Sequence, residues 1–145
     1  MLDKKYRKKN GKASRVIVFN SIRKVFAGLF LVLTLVFLAT LTLIPTVVCL
    51  ALTVLEFYKC SVIDNAVDNL REYGVLMVNH PEYTVYDYSK AFRKDVETVN
   101  ADIDKLRKKK LLFGNTDQTK FYLDEDFNLR ILLEQNGWAG AVFVK

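Results

Sequence analysis

The sequence is poor in the residues from which reaction centres are built. It has one histidine, His80, and two cysteines, Cys49 and Cys60. A structural zinc site takes four nitrogen or sulfur ligands, and His80 stands beside a proline with no second histidine or cysteine near it, which excludes zinc. Two cysteines in different surroundings do not make a disulfide framework. Six glycines and no G-x-x-x-x-G-K-[ST] run exclude a phosphate-cradling loop, and there is no G-x-S-x-G turn to raise a nucleophile. The sequence also lacks an N-x-[ST] glycosylation site. One stretch imitates a calcium loop: Asp124, Asp126 and Asn128 occupy its positions 1, 3 and 5. Its required glycine is Leu129 and its closing glutamate is Gln135, so that reading fails too. These gaps point away from an enzyme and imply no cofactor and no metal.

The most informative absence is of charge. None occurs from Val25 to Leu55. A helix crossing a bilayer needs about 20 apolar residues, so the run reads as one transmembrane helix with an overhang that must tilt or bend. It is too long for the apolar region of a cleaved signal peptide. Phe19 and Phe26 before it, and Phe57 and Tyr58 after it, suit the aromatic belts of the interfaces.

Charge elsewhere is divided unevenly. The first 24 residues carry nine Lys/Arg against one acid, Asp3, whereas the remainder holds 13 Lys/Arg against 15 acids. A basic tail beside an apolar run is a topology signal, which places the N-terminus in the cytoplasm and the C-terminal domain outside. The tail would also be drawn to anionic lipid headgroups, and nucleic acid is not an expected partner.

Within the run, Gly28, Ala39, Thr42, Thr46, Cys49, Thr53, Glu56 and Cys60 fall on one seam, at steps of 3 and 4 from Ala39 onward. Small and weakly polar residues let membrane helices approach closely, so the seam is expected to meet another transmembrane helix, from a second copy or another subunit. Pro45 should kink the helix, with Thr42 and Thr46 satisfying the freed backbone groups. Glu56 is expected to pair with Lys59 at the membrane edge, and Cys60 to be a free thiol with the option of an intermolecular disulfide.

Beyond the membrane, Ile63, Ala66, Leu70, Tyr73 and Met77 extend the helical pattern as a stalk to about Val78, and Pro81 ends it. A second helix is expected from Asp87 to Lys109, ending in a basic turn that suits a helix C-terminus. "FGNTD" reads as a turn, "KFYL" and "GAVFVK" as strands, and residues 125–136 fit either a helix closed by Gly137 or a strand. Tyr83, Tyr86 and Tyr88 could touch a ligand or partner, or else cap the core.

The expected fold is thus an α+β membrane protein. A basic cytoplasmic tail (1–24) leads to a single transmembrane helix (25–57). A helical stalk and a small helix-rich α/β extracytoplasmic domain with two or three strands follow (58–145). The arrangement resembles both the front of bacterial membrane-anchored sensors and the small bitopic subunits of envelope assemblies. It implies a non-catalytic subunit that docks to protein partners. The alternative is the sensing portion of a signalling receptor, cut before its output module.

Overall fold

A computed structural model describes residues 4–117 and 119–138. The described elements run α1 (Arg7–Ala39), α2 (Leu43–Asn79), α3 (Val85–Phe92), α4 (Val96–Lys108), β1 (Gly114–Asp117), β2 (Lys120–Leu123) and α5 (Leu129–Gln135). The class is helix-rich α+β with a small two-stranded sheet, and it contains two long apolar helices. The uncharged run is therefore shared between α1 and α2, and does not form one helix.

The break lies at Thr40–Thr42. Leu41 takes the left-handed conformation (φ 55°), which a right-handed helix cannot continue through. The Leu41 N–H donates to Leu38 O and the Thr42 N–H to Phe37 O, the paired bonds that close a helix C-terminus. Pro45 does not kink a helix. It is the third residue of α2, in the first turn, where a missing N–H costs no internal bond.

The described residues form two compact units, one of them Ile17–Asn65 and the other the residues up to Val16 and from Ala66 onward. The first is an antiparallel pair of helices. Asn20 Nδ2 donates to Asp64 Oδ1 at 2.8 Å, and Lys24 Nζ pairs with the same oxygen at 2.9 Å. Ala27 and Thr34 of α1, and Thr53 and Cys60 of α2, are buried, while the large apolar side chains between them point outward.

The second unit has a core of its own. The stripe expected on the stalk is present: Ala66, Leu70, Tyr73 and Met77 are buried, and α2 ends at Asn79, just before Pro81. The helix expected over 87–109 is two. Asp87 Oδ2 accepts the Thr84 N–H at 2.8 Å and so starts α3. Arg93, left-handed at φ 52°, ends it, and α4 begins after Asp95. Val99, Ile103 and Leu106 form the buried stripe of α4.

"FGNTD" is also different. Gly114–Asp117 is a strand, paired antiparallel with "KFYL" in the register Gly114↔Leu123 and Asp117↔Lys120. Gly114 is required there, because a Cβ would lie 2.2 Å from Tyr122 O. The Val85 N–H donates to Thr119 O at 2.7 Å, which ties the start of α3 to the hairpin.

Residues 129–135 are helical, not a strand. Asn128 is the cap, accepting the Ile131 N–H at 3.1 Å, and Gly137 closes the helix at φ 75° as expected. Leu129 and Leu133 of α5 press against Gly74 of α2, where an added Cβ would sit 3.2 Å from Leu133. The strand expected at residues 140–145 lies outside the described residues.

Candidate membrane hairpin and terminal clasp

In the hairpin unit, α1 and α2 are each long and apolar enough to cross a membrane, with mean hydropathies of 2.1 and 1.7 in their most apolar stretches. Both are compatible with membrane association. Phe19, Phe26, Phe57 and Tyr58, the expected belt residues, all face outward.

The seam residues divide. Thr53 and Cys60 are buried, and Thr46, Cys49 and Glu56 are half-buried on the same face of α2. This face is turned toward α1 of the same chain: Cys60 Sγ lies 3.9 Å from the Asn20 carbonyl oxygen. Ala39 and Thr42 are exposed at the tip. Gly28 is on α1, half-buried, with open space where a Cβ would be, so it serves no close packing. Thr46, Cys49, Thr53, Glu56 and Cys60 share a face of α2 that is turned to α1 of the same chain, not to a second molecule. Asn20, Ala27 and Thr34, buried on α1 at 7-residue intervals, were not among the residues expected from the sequence.

Glu56 and Lys59 pair as expected, at 3.9 Å. Cys60 is a free thiol, 3 % exposed, and burial leaves it no route to a disulfide with another molecule.

The other unit brings together residues that sequence reasoning kept apart. Lys9 Nζ lies 2.7 Å from Asp124 Oδ2 and 2.5 Å from Asp126 Oδ1. The Asp124 and Asp126 hydrogen bonds hold the Lys9 ammonium above its ordinary range. The Lys9 hydrogen bond in turn holds the Asp126 carboxyl below the usual carboxylate range. One residue on, Asn10 Nδ2 donates to Asn128 O at 2.7 Å, and the Asn128 N–H donates to Asn10 Oδ1 at 3.0 Å. Asn10 is fully buried. The two acids that mimic a calcium loop thus hold a lysine ammonium. Among the described residues no group of three or more His, Cys, Asp or Glu is placed to hold a metal ion.

A basic groove lies on the remaining face of this segment, lined by Lys4, Arg7, Lys8, Gly11, Lys12 and Arg15. The tyrosines separate. Tyr83 stacks on His80 with ring centroids 4.4 Å apart, Tyr88 is buried edge-on to Tyr73, and only Tyr86 faces outward. Beneath them, Tyr73 Oη donates to Asp102 Oδ2 at 2.9 Å, and Lys94 Nζ approaches the same oxygen at 3.1 Å. Burial first, and the Asp102 contact second, push the Tyr73 phenol well above its ordinary range. Burial also pushes Tyr88 up to about 12.

No protein-family model matches the chain, no curated protein matches its sequence, and no solved structure matches its fold.

A tail and a domain joined within one compact unit fit poorly with a single span that places them on opposite sides of a membrane.

Proposed function

We propose that the chain is a non-catalytic, membrane-anchored docking subunit. It is inserted through the α1–α2 hairpin, with its N-terminal segment and its α/β domain together on the cytoplasmic side. The clasp carries this reading. Lys9 and Asn10 precede the apolar hairpin, and Asp124, Asp126 and Asn128 follow it, yet they are within hydrogen-bond distance. A bilayer cannot pass between groups that close, so the two flanks share one aqueous compartment. The excess of Lys/Arg in the first 24 residues favours the cytoplasm for that compartment. Its basic groove suits anionic lipid headgroups, which are enriched on the cytoplasmic leaflet. Docking to a protein partner falls to the surface of the α/β domain, where Tyr86 is exposed, since the inner seam is occupied by α1 and the outer face of the hairpin by lipid.

The alternative, an extracytoplasmic sensing portion of a receptor, needs the domain across the membrane from the tail, and the clasp argues against it. Epitope tags at both termini test the proposal. In sealed vesicles with the cytoplasmic face outward, added protease should remove both tags. Removal of the N-terminal tag with protection of the C-terminal one would restore the single span.

A further inference from the structure

We infer that the Thr40–Thr42 turn ends inside the hydrocarbon of the bilayer, so that the hairpin enters and leaves by one face without presenting a loop to the other. The occupant of its apolar surface is lipid acyl chain. This rests on the same-side reading above and adds the depth.

Three observations carry it. The first is length. The charged residues of the hairpin unit gather at its open end, where Lys24 pairs with Asp64 and Lys59 with Glu56. From there to the turn no charged residue occurs on either helix. Lys24 to Leu41 is about 17 residues, or roughly 25 Å at the helical rise. The hydrocarbon core is about 30 Å thick. The turn stops short of the far interface.

The second is the turn's threonine hydroxyls, each of which is bonded to a nearby backbone carbonyl. Thr40 Oγ1 and Thr42 Oγ1 each donate to Phe37 O at 3.1 Å, and Thr42 N–H donates to the same carbonyl. Thr46 Oγ1 donates to Thr42 O at 2.6 Å. Pro45 has no N–H to satisfy. In lipid an unpaired hydroxyl is costly, and none of these three is left unpaired.

The third is Leu41. A left-handed residue closing a helix is usually glycine or asparagine. Here it is leucine, 85 % exposed, flanked by Leu43 at 78 % and Ile44 at 80 %. In water this turn would combine backbone strain with a bare apolar tip. In hydrocarbon the side chain's transfer from water offsets the strain.

The test uses the full chain in sealed vesicles. Leu41→Cys is made in a Cys49→Ala, Cys60→Ala background, with Ser21→Cys at the charged end as the accessible control. A membrane-impermeant maleimide should label position 21 from the near side. Position 41 should stay unlabelled from both sides until detergent is added. After labelling in detergent with a polarity-sensitive fluorophore and reconstitution, emission from position 41 should be quenched by acyl-chain bromolipids and not by aqueous iodide. Labelling of position 41 from the far side overturns the inference, and the same-side reading survives if both terminal tags remain on the near side. A second variant, Leu41→Lys with the native cysteines, guards against a background that does not fold. It should lower the ratio of inserted to extracted protein by roughly two orders of magnitude. Unchanged insertion would place the turn in water and overturn the inference independently.

Discussion

Asn10 and Asn128 meet as two strand residues would, the side-chain amide of one exchanging two hydrogen bonds with the main chain of the other. Asn128 also caps α5 through its own side chain. One buried asparagine therefore ties the N-terminal segment to the start of the last described helix.

Replacing Asn10 by leucine should leave the Asn128 N–H without its partner, while the Asn128 C=O keeps the Leu132 N–H at 3.3 Å. The expected loss is about 1–3 kcal/mol, the penalty for one unsatisfied group. Thermal unfolding in detergent micelles would measure it. Lys9→Ala should cost visibly less, because its partners Asp124 and Asp126 are partly open to water.

The Lys9–Asp126 pair makes a pH prediction. The Asp126 carboxyl is held below its ordinary value, so its contribution is present above about pH 4 and is lost as the pH falls through the lowered value. The Lys9 ammonium is held above 10.5, so its contribution is present below that pH and is lost as the pH rises through the raised value. The stability difference between the native chain and Lys9→Ala should thus be flat between about pH 5 and 9 and should narrow beyond both ends. Chemical denaturation across that range checks it. A difference that changed steadily through neutral pH would assign the effect to other groups.

Tyr73 and Asp102 form the polar centre of the domain. Tyr73→Phe should cost about 1 kcal/mol, since Lys94 still reaches Asp102. Asp102→Ala should cost about 3 kcal/mol, leaving a buried hydroxyl and an ammonium without their partner. Spectrophotometric titration adds a separate readout. The raised Tyr73 and Tyr88 phenols should ionise later than a free tyrosine, whose pKa is about 10.

Gly114→Ala should disrupt the β1–β2 pairing, because the new methyl meets the Tyr122 carbonyl and the Phe121 ring. Backbone must shift, at a cost of about 1–3 kcal/mol. Loss of amide protection at Phe121 and Leu123 in hydrogen exchange would report it locally.

Much of this fold was legible in periodicity. The stripes from Ala66 to Met77 and from Val99 to Leu106 are core, and Gly137 closes α5 where a left-handed residue is needed. The failures have physical causes. Arg93 and Leu41 both adopt left-handed backbone that neither residue type announces, so two helix breaks passed unseen. Pro45 was visible, but a proline marks either a kink or a first turn, and only the bonds at Leu41 and Thr42 decide between them. The clasp was not legible at all. Lys9 and Asp126 are 117 residues apart, and nothing local marks either as the other's partner. For that reason the charge asymmetry suggested a tail and a domain on opposite sides.

The clasp also sets an order of events during synthesis. Asn10 is made 118 residues before Asn128, a wait of roughly 6–24 s at ribosomal speeds. The apolar hairpin emerges within that interval and, on the topology proposed above, enters a membrane first. Only afterwards do Asp124, Asp126 and Asn128 arrive to find, or fail to find, their partners. A chain inserted the wrong way round would have Lys9 and Asn10 beyond reach, with a cap unbuttressed and two acids unanswered. On the topology proposed above, the clasp closes last, after both of its halves lie on one side.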